Sequence, residues 1–329
     1  MLVVAGGGML LLFTLDMLLG PADISAREVV SALWHPSSVE PSTRTIVMMF
    51  RLPTAFMAIC VGASLGISGA QMQTILNNPL ASPFTLGVSA AASFGAALIL
   101  VFGTMFVSLP LTWLVPFSAF VFALLGAMSL YALGSRRGGS TETIVVGGVA
   151  IHFLFSSAVA FLQFFAAEDT LQAIVFWIFG TLQGANWTNT SIVAVVLFMA
   201  IILLAQKAWQ LTSLRLGDEH ARSLGVDVAR LKLRTLVIVS TITATAVCFT
   251  GAIGFVGLVA PHVARRLVGE DQRFYMPLAG LLGGTLVSTA DIVSKSLVPE
   301  TIFPIGIVTA AMGAPFLAVI ALGARRSYW

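Results

Sequence analysis

The side chains that could carry chemistry are few and dispersed. A metal site or an intramembrane protease would draw on His152, His262 and Asp291. Neither chemistry finds its motif: there is no His-Glu-x-x-His zinc helix, no Gly-x-Ser-x-Gly nucleophile turn and no paired carboxylates within the apolar stretches. Each residue therefore reads as a helix-end or packing group, and neither a metal ligand set nor a catalytic residue is expected. The Gly-x-x-x-x-Gly-Lys-Ser/Thr loop that cradles nucleotide phosphates is also missing, so any ATP must be handled by a partner. Asp16 and Asp291 lie in or near apolar segments, where a charge is costly unless it reaches water or a partner. Two such groups, far apart in sequence, make a thin case for a proton relay.

A different signal comes from "SGAQMQTILNNPLASPFTLG", residues 68–87, which places amides and prolines between two of the most hydrophobic stretches. Pro79 and Pro83 stop one helix and set the next, and Asn77 and Asn78 can bond the backbone groups freed there. Gln73 and Asn77, four apart on one helical face, either pack against a neighbouring helix or face a pathway.

The elements that must position these residues are membrane helices. Hydrophobic residues make up 58% of the 329 and charged residues 9%, against roughly 45–50% and 25% in soluble domains. Apolar runs long enough to cross about 30 Å of hydrocarbon recur at 1–20, 52–72, 84–107, 110–133, 143–166, 189–208, 233–253, 255–268, 275–297 and 303–323. The expectation is an all-α integral membrane protein of about ten transmembrane helices, one polytopic unit filling 1–329. Residues 1–19 lack a basic start and a cleavage site and read as the first span rather than a signal peptide. The eighth segment is short for a crossing, and residues 171–187 suit a re-entrant or interfacial helix. Cys60 and Cys248 fall in apolar segments and read as packing residues, and nucleic acid is not an expected partner.

Placing the N-terminus in the cytoplasm collects 13 of the 17 basic residues on the inside, leaving Arg27, Arg44, Arg51 and Lys295 outside. The positive-inside rule therefore puts both termini in the cytoplasm. Arg51 and Lys295, at the outer ends of spans, are either snorkelling anchors or positive charges presented to an acidic docking partner. Residues 207–234 form the longest inside loop, and two short helices joined by a glycine turn fit it: Leu216, Ala221, Leu224 and Val228 are apolar, Asp218 and Glu219 suit a first turn, and Gly217 and Gly225 punctuate.

At an offset of 182, residues 68–81 fall over residues 250–263, so that Gly69, Ala70, Leu76 and Pro79 meet Gly251, Ala252, Leu258 and Pro261. The second and seventh spans must run in opposite directions, which is the signature of an inverted repeat, here spans 2–5 and 7–10. Transporters place interrupted helices at such corresponding positions. The helix breaks expected are at Asn77, Asn78, Pro79 and Pro83, and at Gly251, Gly254 and Pro261, the second near the membrane face opposite the first.

Residues 51–96, "LGDEHARSLGV" (216–226), "GAIGFVGLVAPHVARRLVGEDQRFYMPLAGLLGG" (251–284) and "FPIGIVTAAMGAPF" (303–316) together resemble the iron-siderophore, haem and cobalamin permeases, the FecCD-type membrane subunits of type II ABC importers. The resemblance runs from about residue 26 to the C-terminus. It implies ten helices per subunit and a second permease subunit, identical or paralogous. It implies two copies of a cytoplasmic ABC ATPase holding ATP and Mg, and a periplasmic or lipid-anchored substrate-binding protein docking outside, all at a bacterial inner membrane. It makes Leu216, Gly217, Asp218, Glu219, Ala221, Arg222, Leu224 and Gly225 the segment that couples to the ATPase. Arg51 and Lys295 become docking residues, although Thr54 stands where a second arginine is usual and Lys295 replaces an arginine. The cytoplasmic gate falls on Thr141 and Glu142, the glutamate standing where a serine is found in the cobalamin importer. The implied function is ATP-driven import of an iron chelate, a ferric siderophore first, with haem or cobalamin as alternatives; the rival reading is a secondary carrier driven by an ion gradient.

Overall fold

A backbone in hydrocarbon must satisfy its own N–H and C=O groups, and a helix does so within one segment. The computed structural model describes residues 1–20, 22–106, 109–136, 141–297 and 303–324, and every regular element among them is helical. In chain order these are α1 (Leu2–Leu18), α2 (Ala26–Trp34), α3 (Pro41–Thr45), α4 (Leu52–Ile75), α5 (Val88–Phe106), α6 (Leu111–Arg136), α7 (Thr141–Phe165) and α8 (Glu168–Phe179). There follow α9 (Trp187–Ala205), α10 (Ala208–Ser213), α11 (Asp218–Ser223), α12 (Val228–Thr250), α13 (Val256–Val268), α14 (Gln272–Ser296) and α15 (Ile305–Ala324). Among the described residues six helices are long and apolar enough to cross a membrane, and α1, α5 and α15 contribute shorter apolar stretches. Each of the ten expected segments coincides with a helix, the short eighth being α13.

Three boundaries differ from the sequence reading. The second segment begins at Pro41, because α3 runs through a π turn (Ile46–Arg51) directly into α4. Pro53 has no N–H to give, and the wider spacing of the π turn absorbs that loss without a break. The loop 207–234 holds the two short helices expected, α10 and α11, joined through a 3₁₀ turn (Leu214–Leu216) and Gly217, but its last residues already belong to α12, whose first turn Asp227 caps by accepting from the Arg230 N–H at 3.1 Å. Pro261 lies inside α13 and breaks nothing. The carbonyl one turn before it, that of Gly257, is packed against the bare Cα of Gly69.

That contact belongs to a seam that organises the whole structure. Gly62 and Gly66 of α4 lie against the backbone of Gly283 and Ala279 in α14, and Gly69 lies against Gly257 in α13. A Cβ added at any of the three would collide with a carbonyl oxygen of the partner helix. Because lipid provides no hydrophobic drive between helices, such small-residue seams, where backbones approach closely, carry the packing. Around α4 and α14 the core continues through α9, α12 and α5 with Met57, Val61, Leu65, Val247, Val256 and Val287 buried. The opposite case is α7, of whose apolar window only 17% is buried; Phe153, Leu154, Phe161 and Phe164 are exposed on it.

Gly66→Leu should lower the stability of the purified protein by about 1–3 kcal/mol or more, as overpacking against a rigid backbone does. Thermal unfolding in detergent measures it, with Gly7→Ala as the control, since nothing lies within 4 Å of a Cβ at Gly7.

Candidate functional site

The first helix break follows α4. Asn77 takes a left-handed backbone, φ 46°, which asparagine tolerates better than other non-glycine residues. The Asn78 side chain accepts from the Leu80 N–H at 2.9 Å, and Ser82 and Thr85 exchange N–H to hydroxyl bonds at 3.0 and 3.1 Å. Asn77, Asn78, Pro79 and Pro83 thus all fall in the irregular stretch between α4 and α5, where their types suit them.

The second break separates α12 from α13 at residues 251–255. Gly251 has φ 72° and its Cα is pressed against the Trp177 carbonyl, so only glycine fits. Phe255 is also left-handed at φ 66°, a costly state for an aromatic residue, and its ring is packed against Gly313 of α15. The end of α8 and the start of α15 close over this break: the Thr181 N–H donates to the Thr250 carbonyl at 2.7 Å and the Ile305 N–H to the Gly180 carbonyl at 3.1 Å. The expectation that the two breaks lie near opposite faces is not met. A Cβ at Gly254 would stand 3.5 Å from the Phe84 ring, and one at Gly257 3.6 Å from Pro83, so the breaks pack on each other.

Beside their junction lies a cavity of about 280 Å³ lined by Phe84, Ala252, Ser89, Ser93, His152 and Gln163, among others. Hydroxyls, an imidazole and an amide therefore share one hollow with the apolar side chains of Phe84, Ala90, Val159 and Ile178, and no Asp, Glu, Lys or Arg among the described residues lines it. The arrangement can offer neutral hydrogen bonds to a polar solute. Among the described residues no metal-binding cluster of His, Cys, Asp and Glu occurs, at His152 or elsewhere. His262, elsewhere, packs edge-on against Phe316.

In the last turns of α4, just before the first break, the amides of residues 68–87 find partners. Gln71 donates to Gln272 and Gln272 to Thr74, each at 2.8 Å, and all three side chains are buried. Arg265 of α13 donates to Gln73 at 3.1 Å and to the Tyr275 hydroxyl at 3.2 Å, and Tyr275 in turn donates to Gln73 at 3.3 Å. Arg215, in the turn Leu214–Leu216, pairs with both oxygens of Glu270 and donates to the Asn77 side chain at 2.8 Å. Its hydrogen bonds hold the Glu270 carboxyl below the usual glutamate range. A carboxylate lowered in the folded state stabilises above its unfolded pKa and loses that contribution only as pH falls through the folded one, so this tie persists at neutral and mildly acidic pH.

The segment 216–225 projects from this network. Gly217, φ 105°, and Gly225, φ 82°, bracket α11, and neither has an atom near where its Cβ would be. Ala221 is buried and Asp218 pairs with Lys232 at 2.7 Å, while Glu219 and Arg222 are exposed and Leu216 and Leu224 are 68% and 46% exposed. An apolar pair held out on a polar, glycine-bracketed turn is suited to contact another protein.

Arg51 and Lys295 are neither snorkelling anchors nor exposed charges. Arg51 is 6% exposed and donates to the carbonyls of Met17 and Leu18 at 3.0 Å and of Ala22 at 2.7 Å, capping the end of α1. Lys295 sits between Asp16 at 2.7 Å and Asp291 at 2.5 Å, all three buried. Two buried acids need a cation, and the fold supplies it. Of the expected gate, Thr141 and Glu142 open α7, and their side chains lie outside the described residues.

The model of the FecCD transport family matches residues 8–323. The chain belongs to that family. It is 34% identical to the hemin transport system permease protein of Yersinia pestis, covering 97% of this chain and 95% of the relative. It is 31% identical to the molybdate import system permease protein of Haemophilus influenzae, covering 94% and 91%. A solved structure described as an inward-facing conformation of a metal-chelate type ABC transporter superposes with a TM-score of 0.84 at 29% identity, covering 98% of both chains. As a FecCD member, the chain belongs to a transport family, and the relatives just described are named as permease proteins.

Sequence reasoning missed Arg215, Glu270, Gln272 and Tyr275. Their only mark in the sequence is polarity beside an apolar span, which a solvated loop shares. It also read Asp16, Asp291 and Lys295 singly, since 279 positions separate the first from the last. Lys295→Ala leaves two buried acids without a cation and should cost about 3–5 kcal/mol. Adding Asp16→Asn and Asp291→Asn should recover most of the loss in thermal unfolding; a single variant as stable as the parent would remove this role for Lys295.

Proposed function

We propose that this chain is the permease subunit of an ATP-binding cassette importer that brings an iron chelate, a ferric siderophore first, into the cytoplasm. The observation that carries the reading is the projecting segment 216–225, which presents Leu216 and Leu224 while its root is bonded into the ends of α4 and α14. A surface for a motor subunit is thereby attached to the two helices that share the glycine seam. The ATP and Mg belong to that subunit, two copies of which would serve a pair of permeases, identical or paralogous. The exposed phenylalanine face of α7 fits a second permease, and an external binding protein completes the assembly; Arg51 and Lys295, being buried, are not assigned to its docking.

On this reading all ten helical segments cross the bilayer as one polytopic unit, with both termini and residues 207–234 in the cytoplasm of a bacterial inner membrane. Closure of the ATPase pair on ATP would move segment 216–225, and the paired breaks, as the counterpart elements of an inverted repeat, would let helices rock around the cavity. The gate at Thr141 and Glu142 is kept by resemblance. The cavity lining, largely apolar with a few hydroxyls, an imidazole and an amide, suits a solute passing without tight binding, which leaves selection to the binding protein.

The test is uptake of a radiolabelled ferric siderophore by proteoliposomes holding the permease, its ATPase and its binding protein. Accumulation should need hydrolysable ATP; accumulation by the permease alone under a proton or sodium gradient would establish a secondary carrier instead. Leu216→Asp with Leu224→Asp should weaken ATPase association by tenfold or more in detergent pull-down titrations, because two apolar anchors become charges at a contact. Unchanged affinity would place the ATPase elsewhere.

A further inference from the structure

We infer that Arg215 is the positioning residue through which movement of segment 216–225 reaches the membrane helices, an inference that rests on the ATP-driven reading above. Arg215 stands immediately before Gly217's hinge and its guanidinium is largely covered, with a side-chain exposure of 16%. It holds three chain segments at once. Both oxygens of Glu270, in the turn between α13 and α14, pair with it, and the Asn77 amide at the α4 break accepts from it at 2.8 Å. Glu270 lies 55 positions from Arg215, and Asn77 138.

Two further bonds stiffen the joint. Arg265 of α13 approaches Glu270 at 3.4 Å while donating to Gln73 of α4, so the same carboxylate faces two arginines. Thr212, one turn upstream of Arg215, accepts the Gln272 N–H at 3.1 Å, fixing the start of α14 to α10. Among the described side chains of α11 the ties are few: the buried Ala221 and the pair Asp218–Lys232. A forked arginine–carboxylate pair resists displacement and rotation together, where a lysine would resist displacement alone. The projecting segment is thus hinged at its own glycines and rigid at its root. A push on Leu216 or Leu224 is delivered at Arg215 to the α4 break and to α13 and α14 together.

The experiment compares Glu270→Gln, Arg215→Lys, Asn77→Gly and the exchanged pair Arg215→Glu with Glu270→Arg in the complete reconstituted transporter. Two readouts are siderophore imported per ATP hydrolysed and the ATP-driven distance change between spin labels at Leu80 and Ser223, both exposed. Glu270→Gln should cut the import ratio at least tenfold while hydrolysis continues, with the ATP-driven distance change enlarged because the labelled segment now moves without the break. Arg215→Lys and Asn77→Gly should fall between it and the parent, and the exchanged pair should recover part of the ratio. A merely structural pair would lower thermal stability and yield yet leave the ratio of the surviving complexes unchanged; that result, in any variant set that assembles, overturns the inference. Asn77→Gly keeps the left-handed backbone and the ion pair, so it tests the joint even where the charge variants fail to assemble, and a parental ratio there also overturns it. A parent transporter that imports without ATP, or shows no ATP-driven distance change, instead overturns the functional reading beneath.

Discussion

Backbone contact between α4 and its neighbours is the constraint on which the rest of this structure depends. Gly62 and Gly66 let α4 touch α14, and Gly69 lets it touch α13, at distances no side chain would allow. In lipid that approach replaces the hydrophobic drive that assembles soluble bundles. It also fixes depth and register. With Gly69 held on Gly257, the residues that follow on α4 meet α14 and α13 at set positions, and Gln71, Gln73 and Thr74 find Gln272, Arg265 and Tyr275 rather than hydrocarbon.

Two polar systems grow from the seam, and they differ in kind. Near one end of α14, Lys295 neutralises Asp16 and Asp291 and joins it to α1, whose terminal carbonyls Arg51 caps. Those groups are buried and tied by two ion pairs to one lysine, which suits a fixed joint. At the other end the network of Arg215, Glu270 and Arg265 is only partly covered and borders a segment bracketed by Gly217 and Gly225. Rigid parts beside a hinged part are what a transmitted movement requires. The breaks at 76–87 and 251–255 pack on each other beside a cavity in which hydroxyls, an imidazole and an amide lie among apolar side chains.

The family relationship and the geometry support one another without saying the same thing. Relatives of similar identity are named for hemin and for molybdate, solutes of very different size and charge. The family relationship therefore leaves the solute open, and the cavity beside the breaks, with hydroxyls, an imidazole and an amide among apolar side chains, is a feature of this chain read on its own.

What the sequence determined by itself was class, order and local chemistry. Composition demanded a membrane bundle, apolar length placed ten helices with α13 as the short one, and the Asn, Pro and Gly of residues 77–87 and 251–254 marked both breaks, because these effects act within a few residues. The tertiary structure decided partnership. That the breaks would touch, that Lys295 would turn inward to Asp16, and that Arg215 would reach Glu270 and Asn77 follow from which helices the glycine seam brings together. A charge at the end of a span looks the same in sequence whether it faces water or a buried acid; its energy depends on atoms hundreds of positions away, and packing alone places them.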